Sequence, residues 1–198
     1  MDRTADLSRD TNETRIKLSI NLDGRGTSSV RTGVGFFDHM LDLLAKHALI
    51  DLTVQADGDL HVDQHHTIED VGLLLGQAID KAVGDKRGIY RYGWANLPMD
   101  ESLARVALDL SGRPAFVFSI PFNGPLIGDF AAELVEEFFK ALSNAAKINL
   151  HIDVPYGRNN HHMAEATFKA FARALRQAVT IDPRAADQVP STKGTLIV

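Results

Sequence analysis

The chain has 198 residues, with 21 basic against 26 acidic side chains, a net charge of -5, no cysteine and 8 histidines. That is enough chain for one good core or two small fused lobes, and the absence of cysteine excludes disulfides, thiolate metal sites and a cysteine nucleophile, so any metal must take histidine and carboxylate ligands. The acidic balance argues against nucleic-acid binding, no apolar run approaches a membrane span, and the first residues lack the apolar centre of a signal peptide. The expectation is a cytoplasmic protein with neither nucleic-acid nor membrane partners.

In chain order, residues 1–12 are polar and read as a loose arm. Ile16, Leu18, Ile20 and Leu22 alternate, which predicts a half-buried strand from Thr14 to Asn21, and a short strand follows at 28–34. Phe36, Phe37, Met40, Leu41, Leu44 and Ala48 recur at helical spacing, then Leu52 and Val54 return to period two. Residues 65–83 read as a second helix, with Ile68, Val71, Leu74, Leu75, Ala78 and Ile79 on one face and Gly84 just past its end. The second half predicts strands near 102–110 and 115–120, a helix near 130–146, a strand at 148–154 and a helix near 161–179. The tail after Thr180, with Pro183, Pro190 and Gly194, reads as extended.

Each half therefore has the order ββαβα, and the residues themselves repeat. Asn21-Leu-Asp-Gly-Arg25 lies 88 residues before Asp109-Leu-Ser-Gly-Arg113, and the same offset pairs Glu13 with Glu101. At an offset of 98, Ile50-Asp-Leu-Thr-Val54 meets Ile148-Asn-Leu-His-Ile152; at 96, His65-His66-x-x-Glu69 meets His161-His162-x-x-Glu165. Matches in collinear order point to an internal duplication. The fold class expected is α+β, a single unit over 1–198 made of two pseudo-symmetric lobes, 13–97 and 98–194, with sheets packed on helices.

The repeated dipeptides carry the chemistry. Positions i and i+4 of a helix share a face while i and i+1 diverge. His65 and Glu69 can thus grip one ion, as can His161 and Glu165, whereas His66 and His162 must look elsewhere. Adjacent histidines that cannot share an ion suggest two metals. His39 falls 98 residues before Glu137, both near the starts of equivalent helices. If a pseudo-twofold relates the lobes, one ion takes His39, His66, His161 and Glu165, and the other takes Glu137, His162, His65 and Glu69. Mixed imidazole and carboxylate ligands suit manganese, iron or zinc. His61 and His151 read as surface or strand residues, and His47, near a helix end, as a dipole partner.

Taken together, Phe37-Asp-His-Met-Leu41, Asp63-Gln-His-His-Thr-Ile-Glu-Asp70, Asn160-His-His-x-x-Glu165 with Phe168-Lys-Ala-Phe171, and Ser191-Thr-Lys-Gly194 resemble the imidazoleglycerol-phosphate dehydratase family. The resemblance runs from Asn12-Glu-Thr-Arg15 to the terminal motif. It implies a ribosomal protein S5 domain 2-like fold, two manganese ions per active site, and a homo-oligomer of 24 subunits with active sites at subunit contacts. It places one ion on His39, His66, His161 and Glu165, and the other on His65, Glu69 and His162. Many members have histidine where this chain has Glu137, and a carboxylate there remains a natural ligand.

The reaction implied removes water from imidazole glycerol phosphate, a small phosphorylated imidazole, to give imidazole acetol phosphate in histidine biosynthesis, through a metal-stabilised imidazolate and a diazafulvene. By the same resemblance the catalytic groups are Glu13, Glu165 and His66, with Glu13 as the proton carrier. Substrate contacts fall on Glu13, His39, His47, His65, Glu69, Arg91, Arg113, His161, Lys169, Ser191, Thr192 and Lys193, whose cations suit phosphate oxygens. Rival readings are a di-metal phosphate-ester hydrolase and a metal-storing oligomer. Paired phosphate cations are superfluous for storage, and a metal site alone does not fix the reaction.

Overall fold

The computed structural model describes residues 3–196. Alternation in β2 (Thr14–Asn21) buries Thr14, Ile16, Leu18 and Ile20 and leaves Arg15 and Lys17 in water, so one face of its sheet must be covered. The partners are β1 (Thr4–Asp10), β3 (Ser28–Arg31) and β4 (Asp51–Gly58), in the spatial order β1-β2-β4-β3. β2 runs antiparallel to β1 and β4, while β3 lies parallel to β4. That parallel pair is joined across α1 (Gly35–Ala48), the crossover such a pair requires. Helix α2 (His65–Val83) then packs back on β1 and β2.

The second half repeats this plan with β5 (Tyr92–Met99), β6 (Ser102–Asp109), β7 (Ala115–Ser119), α3 (Leu134–Ala146), β10 (Asn149–Tyr156) and α4 (Asn160–Val179). Its sheet has the order β5-β6-β10-β7, and a hairpin, β8 (Leu126–Ile127) with β9 (Phe130–Ala131), is inserted before α3. The helices meet between the sheets, α2 on α3 and α1 on α4, around a core that includes Phe37, Phe138, Phe139 and Phe168. Even the helix ends correspond: α1 stops at Leu49 (φ 55°) and α3 at Lys147 (φ 54°), both left-handed without glycine.

Gly72 and Gly76 on α2 permit the closest helix contact, since a methyl group on Gly76 would lie 2.4 Å from the Leu142 carbonyl oxygen. No described helix is long and apolar enough to cross a membrane.

Four sequence expectations change. The polar arm contains β1, whose only buried apolar residue is Ala5, with Leu7 half-buried. An edge strand is held by its ladder to β2 and by the Arg9 pair with buried Asp70 (2.9 Å), which leave no apolar alternation to read. Strand β5 was not anticipated and belongs to the second sheet, although the 13–97 boundary put most of it in the first lobe. Its inward Gly93 carries no side chain because the Ala174 carbonyl of α4 lies against it. Helix α3 begins at Leu134 rather than near 130, since Phe130 is in β9 and its ring packs tilted against Phe36, with centroids 5.0 Å apart. The tail is turned, not extended: Pro183 follows Asp182 in a turn closed by the Ala185 N–H, and further turns end at Gln188 and Gly194.

Candidate active site

Helix α4 starts where Asn159 accepts the N–H groups of His161 (2.9 Å) and His162 (3.4 Å), which sets the direction of the dipeptide. One turn on, Glu165 is only 7% exposed and lies beneath His161. Its Oε2 is 3.0 Å from His161 Nε2 and 3.6 Å from His39 Nε2, the latter brought in by α1. The three residues offer ligand atoms within 4.8 Å of one another. Lys169, another turn along, places Nζ 2.5 Å from Glu165 Oε1. Burial raises the Glu165 pKa, but the Lys169 ammonium and the His161 ring outweigh it and hold the carboxyl below its ordinary value.

The counterpart on α2 is looser. His65 Nε2 and Glu69 Oε2 are 4.0 Å apart, and Glu137 on α3 is engaged with Lys140 at 3.4 Å. Among the described residues these three do not close into a second group. His66 and His162 point away from the first group, as the helical spacing requires. His66 Nδ1 is 3.0 Å from Asp59 Oδ2, with Glu13 Oε1 3.9 Å from its Nε2. His162 Nδ1 is 2.7 Å from Glu101 Oε2, with Asp100 Oδ2 3.7 Å from its Nε2. These bonds raise the pKa of both rings and, with the N–H groups of Asn159 and Arg158, hold Glu101 well below the carboxylate range. The backbone of Glu13 is fixed on both sides, its N–H on Thr11 Oγ1 and its carbonyl accepting from Asp59 N–H, while its carboxylate is exposed.

The expected phosphate residues divide between two ends of the second sheet. Lys169 Nζ lies 3.6 Å from Met99 Sδ, at the end of β5. Arg91 precedes the start of β5 and grips Asp109 through two bonds of 2.7 and 3.0 Å. It also donates to the Pro190 carbonyl, so it tethers the tail segment bearing Ser191, Thr192 and Lys193. Exposed Arg113 stands by the same tail, since neighbouring Gly112 abuts Leu196. The length of β5, roughly 23 Å at the strand rise, separates the two ends. His47 lies two turns beyond His39 on α1, and burial and then Lys169 and Arg173 lower its pKa, favouring a neutral ring.

The imidazoleglycerol-phosphate dehydratase family profile matches residues 32–175. A relative of that name from Albidiferax ferrireducens is 60% identical over 194 residues, covering 98% of this chain and 95% of its own. One from Sinorhizobium fredii is 58% identical over 196 residues, covering 99% and 97%. The chain belongs to the imidazoleglycerol-phosphate dehydratase family. Members of this family are hydro-lyases of histidine biosynthesis. The crystal structure of the dehydratase from Staphylococcus aureus superposes with a TM-score of 0.83 at 41% identity, over 90% of this chain and 99% of that one. The dehydratase from Pyrococcus furiosus gives 0.82 at 32%, over 96% and 99%. The α+β architecture expected from the duplicated pattern is thereby that of the dehydratases.

Of the residues expected to share one ion, this dehydratase chain brings together His39, His161 and Glu165 and leaves His66 apart. Of those expected for the other, His65 and Glu69 approach one another while His162 faces Glu101. Asp59, Asp100 and Glu101 were missed as neighbours of the site. The pairing of Glu101 with Glu13 at the 88-residue offset was a usable signal for one of them; Asp59 has none beyond its place between β4 and α2.

Proposed function

We propose that this chain dehydrates D-erythro-imidazole glycerol phosphate to imidazole acetol phosphate, using two manganese ions per active site, in a homo-oligomer of 24 copies whose sites are completed between subunits. The observation that carries the reading is the group His39, His161 and Glu165, closing at the start of α4 in a chain of this family. Two imidazoles and a buried carboxylate fit a divalent ion of the manganese, iron or zinc kind. His65, Glu69, Glu137, His66 and His162 would supply the remaining ligands. Bound there, the ions supply Lewis-acid polarisation of the substrate imidazole and orient the neighbouring hydroxyl.

The chain's own groups account for the rest of the reaction. The carbon beside the ring loses its hydroxyl, the middle carbon loses a proton, and the enol that remains gains a proton at the ring-side carbon to become the ketone. Water is the only other product. Glu13, exposed and 3.9 Å from His66, is placed to take the first proton and return it. Lys169 keeps Glu165 ionised and so able to ligate.

The separation along β5 supports a shared site. The substrate is about as long as three extended residues, about 10 Å. It cannot span the roughly 23 Å between Lys169 and the Arg113–Lys193 end of the same chain. A second copy that presents its tail to the first would bring Ser191, Lys193 and Arg113 to the phosphate. A cytoplasmic location belongs to the same proposal, supported by the biosynthetic role of the family.

Protein stripped by a chelator and then given manganese and imidazole glycerol phosphate tests this reading. Ketone that appears only after the ion is returned is the expected result. Absence of ketone overturns it, and release of inorganic phosphate instead would favour a hydrolase.

A further inference from the structure

The second histidine of each dipeptide is clamped by a carboxylate that lies outside the expected ligand set. Asp59 Oδ2 meets His66 Nδ1 at 3.0 Å and Glu101 Oε2 meets His162 Nδ1 at 2.7 Å. An ionised carboxylate can only accept, so Nδ1 is the donor in both rings and Nε2 is left to ligate. We infer that Asp59 and Glu101 are positioning residues that fix the tautomer and aim of His66 and His162, presenting Nε2 to ions whose other ligands come from neighbouring copies. This rests on the two-ion reading above.

The duplication does not supply the clamps as a matched pair. Glu101 is the repeat counterpart of Glu13, yet Glu13 faces Nε2 of His66 while Glu101 holds Nδ1 of His162. Asp59 follows β4, and the positions 96 and 98 residues further on are Pro155, near the end of strand β10, and Gly157 just after it, with no carboxylate to match. The two halves reach the same ring atom from non-equivalent places in the fold. Inheritance from a common lobe does not produce that, whereas a demand on the Nδ1 proton does.

The Asp59 side chain has no other hydrogen bond or ion pair among the described contacts. Its Oδ1 is buried without a hydrogen-bond partner, so that oxygen is held out of water while Oδ2 meets His66. Glu101 does more: it accepts the N–H groups of Arg158 (3.1 Å) and Asn159 (2.9 Å) and so ties the clamp to the loop that starts α4. A carboxylate on the distal nitrogen raises ligand basicity and freezes the ring orientation, and loss of such a partner typically weakens metal binding 10–100-fold.

The test is manganese affinity and stoichiometry of the assembled protein, read from the electron paramagnetic resonance of free Mn2+. Wild type should bind two ions per chain. Asp59→Ala and Glu101→Ala should each weaken one ion 10–100-fold and leave the other unchanged. Asp59→Asn, which keeps an acceptor oxygen, should recover part of the loss. Wild-type affinity for both ions in the alanine variants overturns the inference and leaves the two-ion reading intact; a wild type that binds no manganese overturns both. Should Glu101→Ala fail to assemble because its loop is freed, Asp59→Ala, which touches no backbone group, decides alone.

Discussion

Helices α2 and α4 open on the same His-His-x-x-Glu pattern, yet only the α4 copy draws its residues into a compact group. The difference lies in what stands one turn further along. Glu165 is followed by Lys169, whose ammonium offsets the cost of burying a carboxylate, while the equivalent position after Glu69 is Leu73 and Glu69 stays half-exposed. His39 lies against the α4 group, whereas its counterpart Glu137 turns to Lys140. The carboxylates before β2 and β6 diverge as well: Glu101 is locked by four hydrogen bonds, from Ser102, Arg158, Asn159 and His162, whereas the exposed Glu13 carboxylate has only the 3.9 Å approach to His66. Duplication supplied two similar frames: the α4 copy closes His39, His161 and Glu165 into one group, and the α2 copy leaves the Glu13 carboxylate exposed.

The largest expected effect separates Glu13 from Glu101. Glu13→Gln should lower kcat by roughly 10²–10⁴ while manganese content, measured on the same sample, stays at the wild-type value. Loss of metal in that variant would make Glu13 a ligand and erase the contrast. Next come the paired arginines at the 88-residue offset. Arg113→Ala should raise KM for the phosphorylated substrate by about 10–100-fold, the worth of a charge-assisted hydrogen bond, and Arg25→Ala should leave the kinetics unchanged. Equal effects in steady-state assays would remove Arg113 from the phosphate site.

A third comparison concerns packing. Gly76 in α2 has Ala172 as its counterpart in α4, so α3 approaches α2 where a methyl group would lie 2.4 Å from the Leu142 carbonyl oxygen. Gly76→Ala should destabilise the fold by about 1–3 kcal/mol in denaturant titration. The smallest effect concerns the loops after β2 and β6. Asp51 Oδ1 accepts the N–H groups of Arg25 (2.9 Å) and Thr27 (3.0 Å), whereas its counterpart Asn149 donates to the Arg113 carbonyl at 2.8 Å. The two backbone bonds hold the Asp51 carboxyl below its ordinary 3.8. Its contribution is therefore present above about pH 4 and lost as pH falls through the folded value. Thermal unfolding of Asp51→Asn should lose less stability between pH 5 and 3 than wild type.

Much of this was legible in the sequence because the duplication prints every signal twice. Helices α2 and α4 were read to within a residue, since their apolar faces are continuous and their starts are marked by the histidine pairs. Strands β1 and β5 were missed for a common reason: each is an edge strand whose inward row opens on one small buried residue and is otherwise only half-buried, Ala5 then Leu7 in one and Gly93 then Ala95, Leu97 and Met99 in the other, with a ladder of main-chain bonds that any residue can make. The group at Glu165 followed from i,i+4 spacing plus the repeat. That Arg91 is spent on Asp109 and on the tail, and that the tail lies a strand's length from Lys169, depends on tertiary placement that no local pattern encodes.

That separation makes the central claim testable by mixing. One chain carrying Glu165→Gln and another carrying Arg113→Ala with Lys193→Ala are each expected to be nearly inactive alone. Dissociated together and reassembled, they should regain dehydratase turnover well above either parent, because some sites would pair an intact metal end with an intact phosphate end. A mixed assembly that forms yet stays as inactive as its parents would contradict a site completed between copies of this chain.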